Sequence, residues 1–150
     1  MQAVFLLPGD NPHVKPQTIL ELIKFYKESK AGIIYPCFKG LRGHPPLISA
    51  RYIKSILAWN QPGGLRVLLS NYAMDALKVE VADQGVVLDM DNPTDRRCWK
   101  TAPIREKSNI AHHLFPGWIE YYRERELDFG LSFITLILRL ERAEQIFRNG

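Results

Sequence analysis

The stretch Ala3-Val4-Phe5-Leu6-Leu7-Pro8-Gly9-Asp10 decides the fold class. Its first five residues are continuously apolar, which predicts a strand of the parallel type, buried on both faces. Pro8 and Gly9 predict a loop, so that Asp10 directly follows the carboxyl end of the strand. Open α/β sheets bind their ligands at that end. Asp10 is therefore a candidate ligand-binding residue, and the alternative is a carboxylate that only caps a turn.

A helix and a second strand follow this strand. Apolar residues recur there at helical spacing, at Ile19, Leu22, Ile23 and Tyr26. With Pro16 in its first turn, this helix is predicted to end near Lys30. The apolar residues 33–36 then predict a short strand, so that residues 3–36 form a βαβ unit. The sequence indicates an α/β fold.

The elements beyond this unit are shorter. Residues 38–46 are rich in Gly and Pro and predict an irregular loop, after which a strand at 47–48, a helix capped by Ser49 and a second short helix are expected. Alternating residues 77–81 predict a strand, and Asp83-Gln84-Gly85 a turn that pairs it with residues 86–91 as a hairpin. Residues 128–148 are predicted to be a long helix that packs against another element.

Composition limits the class of protein. The 150 residues contain 46% hydrophobic residues, which fits one principal domain with an appendage. A net charge of +4 suits an anionic ligand but falls far short of a nucleic-acid-binding protein. The two cysteines, Cys37 and Cys98, have no metal-site spacing, and no signal peptide or membrane span is predicted. A cytoplasmic protein with reduced thiols is expected.

A second acidic segment, Asp89-Met90-Asp91-Asn92-Pro93-Thr94-Asp95, follows another apolar run. Carboxylates this close repel one another unless a cation or a basic group neutralises them, and oxygen ligands suit Mg²⁺. Helix capping explains the segment almost as well when it is taken alone. The pairing of this segment with Asp10 favours a metal site.

Three motifs together resemble the MobA-like nucleotidyltransferases. Residues 4–12 resemble the strand and Asp-x-Pro turn of the family, and residues 89–95 are similar to its Asp-Ile-Asp-Thr-Pro-Glu-Asp. Gly40-Leu41-Arg42-Gly43-His44-Pro45 resembles the Arg-Gly-His-Pro loop of the molybdenum cofactor cytidylyltransferase branch. The motifs occur in family order and cover about residues 3–100.

The resemblance implies an activity and a set of site residues. Asp10 and Asp91 would be the catalytic residues that hold Mg²⁺, and Arg42, Gly43 and His44 would contact the acceptor. A nucleoside triphosphate, CTP or GTP, would donate a nucleotide to a molybdopterin-like acceptor with release of pyrophosphate. The implied fold is an incomplete three-layer, Rossmann-like sheet of the nucleotide-diphospho-sugar-transferase type with C-terminal helices.

The chain departs from this family in its first residues. The Gly-rich loop that grips the nucleotide has no match here, so residues 1–100 are expected to be the C-terminal half of such a domain, and 101–150 a helical extension. A truncated reading frame, one chain of a split enzyme with an N-terminal-half partner, and a decayed domain all fit. The alternatives are a noncatalytic interaction or dimerisation module, such as a homo-oligomer, and a related nucleotide-sugar transferase.

Overall fold

The computed structural model describes residues 2–8, 13–88, 135–139 and 144–145. The strands are β1 Ala3–Pro8, β2 Ile33–Phe38, β3 Leu41–Arg42, β4 Leu47–Ser49, β5 Ala76–Glu80 and β6 Thr135–Arg139. The helices are α1 Pro16–Glu28, α2 Ile53–Ala58 and α3 Gly64–Ser70. The strands and helices predicted between residues 3 and 81 are confirmed, including the Ser49 cap, whose side chain accepts a hydrogen bond from the Arg51 amide. The loop predicted over 38–46 is wrong at Leu41–Arg42, which pairs with β2 as β3.

All six strands belong to one sheet. Strand β4 pairs antiparallel with both β1 and β2, so β1 and β2 run parallel to each other with β4 between them. Strand β5 pairs parallel with β2 along its opposite side, and β6 pairs antiparallel with β1. The predicted βαβ connection exists, but its two strands are not neighbours. The parallel pairing predicted for β1 is wrong, since both partners found in the described residues are antiparallel.

Helices cover both faces of the sheet. On one face, Phe5, Ile34 and Leu47 pack with the buried side of α1. On the other face, Val4, Ile33 and Ile48 pack with α3, and residues from the α2 region line the margin. Each fully buried aliphatic or aromatic side chain contributes about 1.5–3 kcal/mol to the stability of these two layers. The result is a three-layer α/β sandwich with a Rossmann-like, nucleotide-sugar-transferase-like sheet.

The hairpin predicted after β5 is wrong. Residues Gln84–Val87 form a 3-10 turn instead of a strand. The side chain of Asp83 accepts a hydrogen bond from the Gly85 amide at 2.9 Å and so starts the turn. Val86 is fully buried in the α1 layer. The hydrogen bond of Asp83 and the burial of Val86 stabilise this turn, although the apolar sequence favours a strand.

The C-terminal helix predicted over 128–148 is wrong at Thr135–Arg139, which is strand β6. Its five residues pair with Val4–Pro8 of β1, from Val4 opposite Arg139 to Pro8 opposite Thr135. The free edge of β1 presents backbone groups that need partners, and this ladder satisfies them. Residues 144–145 are helical, and Lys27 forms an ion pair with Glu144 at 2.7 Å. The rest of the predicted extension lies outside the described residues.

Candidate functional site

Three parallel strands end at the same edge of the sheet. Strands β1, β2 and β5 run in one direction, so their carboxyl ends lie together. The chain continues from β1 toward Asp10, from β2 into the Arg42–His44 loop, and from β5 through the Gln84–Val87 turn toward Asp91. The strands that lead in the sequence to Asp10, to the Arg42–His44 loop and to Asp91 therefore end at one edge of the sheet, which we call the carboxyl edge. In open α/β sheets, this edge is the usual place for a ligand.

The two candidate metal ligands, Asp10 and Asp91, lie outside the described residues. The nearest described positions are Pro8 and His13 for Asp10, and Leu88 for Asp91. Within the described ranges, no group of three or more His, Cys, Asp or Glu side chains is placed to hold a metal ion. A metal ligand set at Asp10 and Asp91 stays a prediction.

Arg42 lies over an aromatic ring. It pairs with Cys37 across the β2–β3 ladder, and its guanidinium carbon is 4.5 Å from the centroid of the Tyr35 ring. This distance is that of a cation–π contact. Burial raises the pKa of the Tyr35 hydroxyl, and the positive charge of Arg42 partly opposes that shift. The exposed Arg42 side chain is thus held by the Tyr35 ring at the carboxyl edge.

Gly43 and His44 attach the loop to two neighbouring segments. The Gly43 amide donates to the carbonyl of Pro36 at 2.8 Å, and the His44 amide donates to the carbonyl of Val86 at 2.7 Å. A Cβ atom on Gly43 would lie 2.6 Å from the Val86 carbonyl carbon, so only glycine fits. Gly43 thus allows the loop to pack closely against the Val86 backbone. Contact of Gly43 with an acceptor stays a prediction, while the His44 side chain is exposed.

The loop returns to the carboxyl end of β1. The Leu6 amide donates to the carbonyl of Pro46 at 3.1 Å, two residues before the end of β1 at Pro8. His44 is two residues before Pro46 in the sequence. The loop with Arg42 and His44 therefore lies beside the point where the chain departs toward Asp10.

The family model of the MobA-like NTP transferase domain matches residues 1–77, more than half of the 150-residue chain. The chain belongs to the MobA-like NTP transferase family. The matched range contains Asp10 and the Arg42–His44 loop, and it ends before Asp91. No curated protein shows significant similarity to the chain. Among the helices that the structure describes, none has the length and apolarity needed to cross a membrane.

The sequence did not identify one buried polar residue, Asp83, which lies just beyond the matched range. Asp83 is only 5% exposed, and its carboxylate accepts hydrogen bonds from Lys15, Thr18 and Gly85. Two of these donors lie 65 and 68 residues away, at the start of α1. Its local signal is an Asp two positions before a Gly, a pattern that is also typical of a hairpin turn.

Proposed function

We propose that this member of the MobA-like NTP transferase family is a nucleotidyltransferase of the molybdenum cofactor cytidylyltransferase type. It would move a nucleotide from CTP or GTP to a phosphorylated, molybdopterin-like acceptor. The observation that carries the proposal is the common carboxyl edge of β1, β2 and β5, the three strands that precede Asp10, the Arg42–His44 loop and Asp91 in the sequence. In this proposal the chain is the C-terminal half of a transferase domain in the cytoplasm, and it supplies the metal and acceptor side.

Asp10 and Asp91 would hold Mg²⁺. Each lies three residues from a described position, Asp10 from His13 and Asp91 from Leu88, and three extended residues span about 10 Å. Gly85 packs directly against the His13 backbone. In this proposal, the contact between the two segments would allow both carboxylates to bind one metal ion. Their oxygen atoms suit Mg²⁺, which when bound screens the charge of the triphosphate and of the acceptor phosphate.

The residues of the chain would chiefly position the two reactants. An oxygen of the acceptor phosphate forms a bond to the α-phosphorus of the nucleotide, and the bond to pyrophosphate breaks. Arg42 offers a planar fork of donors suited to the acceptor phosphate, and the Tyr35 ring limits the positions that the fork adopts. The His44 side chain would donate a hydrogen bond to the same acceptor. No protein nucleophile takes part in this reaction.

A noncatalytic interaction module is the second candidate, and strand β6 favours it. In the family that the chain resembles, further strands normally lie beside the strand that corresponds to β1. That edge is paired here with residues 135–139 of the same chain. An N-terminal-half partner that added strands at this edge would first have to displace β6. A related nucleotide-sugar transferase also fits the family and the sheet.

Binding of Mn²⁺ in the presence of CTP or GTP tests the proposed function. Mn²⁺ accepts the same oxygen ligands as Mg²⁺ and is counted by electron paramagnetic resonance. We expect Asp10→Asn and Asp91→Asn each to weaken Mn²⁺ affinity at least about tenfold, because each removes a charged ligand. Glu21→Gln, which removes an exposed carboxylate from α1, serves as the control and should bind like the unsubstituted protein. Equal affinity in all four proteins contradicts the assignment.

A further inference from the structure

The buried carboxylate of Asp83 joins two segments that are far apart in the sequence. Its Oδ2 accepts hydrogen bonds from the Lys15 amide at 2.8 Å and from the Thr18 hydroxyl at 2.7 Å. Its Oδ1 accepts from the Gly85 amide at 2.9 Å. A buried carboxylate without such donors would be strongly unfavourable, so the three bonds fix both the carboxylate and its donors.

Helix α1 depends on Asp83 at its amino end. Its N-cap residue, Lys15, makes no side-chain capping bond, and its first turn contains no acidic residue. The positive end of a helix is stabilised by an anion, and its first amides need acceptors. Asp83 supplies the anion, and its carboxylate accepts hydrogen bonds from the amide of the N-cap residue Lys15, 68 residues away, and from the Thr18 hydroxyl in the first turn. The start of α1 is thus held by the segment that follows β5.

A backbone contact reinforces this connection. A Cβ atom on Gly85 would lie 2.6 Å from the carbonyl carbon of His13. His13 is the first described residue after the Asp10 region, and Leu88 is the last before the Asp91 region. The segments 13–18 and 83–88 therefore touch at the places that lead to the two candidate metal ligands.

We infer that Asp83 is a positioning residue that locks segment 13–18 to segment 83–88, and that metal binding by Asp10 and Asp91, to which these segments lead in the sequence, depends on this lock. Asp83 acts through Lys15, Thr18 and Gly85, and it is not itself a ligand. Its effect on metal binding rests on the proposed function. The lock between the two segments does not depend on the proposed function, because it is inferred from the hydrogen bonds of Asp83.

Hydrogen exchange and Mn²⁺ binding of Asp83→Asn test this inference together. The control is Asp75→Asn, because Asp75 stands at the opposite end of β5 and accepts hydrogen bonds from Arg51 and Tyr52. We expect Asp83→Asn to raise amide exchange about tenfold in both segments and to weaken Mn²⁺–CTP binding several-fold per folded molecule. Asp75→Asn should raise exchange only near its own partners and leave Mn²⁺ affinity unchanged.

Each outcome decides a separate point. Exchange that rises in only one segment, or equally in both variants, overturns the positioning role. If Asp83→Asn does not fold, Thr18→Val removes one donor and should give the same pattern of exchange at smaller amplitude. A Thr18→Val protein with unaltered exchange also overturns the positioning role.

Amide exchange that rises in both segments while Mn²⁺ affinity stays unchanged confirms the lock and overturns its effect on the metal site. An unsubstituted protein that binds no Mn²⁺ overturns the proposed function, and the exchange data then decide the lock alone.

Discussion

Gly43→Ala is expected to lower the free energy of unfolding by about 3 kcal/mol, the upper range for overpacking a buried site. The new Cβ would lie 2.6 Å from the Val86 carbonyl carbon and 2.9 Å from the Val86 Cβ. Val86 is fully buried, and its carbonyl accepts a hydrogen bond from the His44 amide, so it has no room to move aside. Relief of the overlap requires a shift of the loop that breaks the Gly43–Pro36 bond. Urea denaturation measures the loss.

Gly40→Ala is the control for Gly43→Ala, because it replaces a glycine of the same loop without creating a steric overlap. Gly40 has a φ of +78°, but nothing lies within 4 Å of an added Cβ. Only the left-handed backbone conformation opposes alanine there, at a cost of about 1 kcal/mol. Equal destabilisation by the two substitutions would show that the close packing of Gly43 on Val86 is not what holds the loop.

Leu138→Pro is expected to destabilise the protein by about 2–3 kcal/mol, the cost of leaving a buried acceptor unpaired together with a lost hydrogen bond. The Leu6 amide points to β4, where it donates to Pro46. Backbone groups alternate along a strand, so those of Phe5 face β6, opposite Leu138. Proline at position 138 has no amide to donate to Phe5, and the ladder that covers the edge of β1 is broken. The urea midpoint reports the change.

Ile137→Pro is the matched control for this prediction. Ile137 lies opposite Leu6, whose backbone groups face β4, so the Ile137 amide points away from β1. Proline is tolerated where the missing donor faces outward. We expect Ile137→Pro to lower the free energy of unfolding by at most about 1 kcal/mol, because the hydrogen bonds between β1 and β6 stay intact. If Ile137→Pro is as damaging as Leu138→Pro, the pairing between β1 and β6 is incorrect.

The elements that sequence predicts well are those with a local signal. The apolar run Ala3–Leu7 and the helical spacing from Ile19 to Tyr26 each identify a buried element without knowledge of its neighbours. The order of strands has no such signal. Nothing in the three residues of β4, Leu47–Ser49, specifies that they insert between β1 and β2, because that position depends on packing of the whole sheet.

Two incorrect predictions have the same physical origin. Residues 86–88 and 136–138 are apolar runs, and periodicity alone does not assign such runs to a strand, a helix or a turn. In the first case the Asp83 carboxylate and burial of Val86 decide for a turn, and in the second the open edge of β1 decides for a strand. Tertiary contacts override local preference in both.

Some residues of the candidate site can be identified from the sequence, and others only from the structure. The family resemblance identifies Arg42, Gly43 and His44 as candidate residues, and the structure brings their loop to the carboxyl edge. Sequence does not identify the Tyr35 ring beneath Arg42 or the role of Asp83. The partners of Asp83 at α1 are 65 and 68 residues away, and no spacing rule connects such positions.

Paramagnetic broadening by Mn²⁺ in the presence of CTP tests most directly whether a metal–nucleotide complex binds at the carboxyl edge. Broadening of amide signals falls steeply with distance from the ion. Strands β2 and β5 contain six and five residues, so the carboxyl edge lies about 15–20 Å from the opposite edge, where these strands begin. We expect the amide signals of His13, His44 and Leu88 to disappear first and those of Gly32 and Asp75, at the opposite edge, to persist. Preferential loss at Gly32 and Asp75, or no selective broadening, would contradict a binding site at the carboxyl edge.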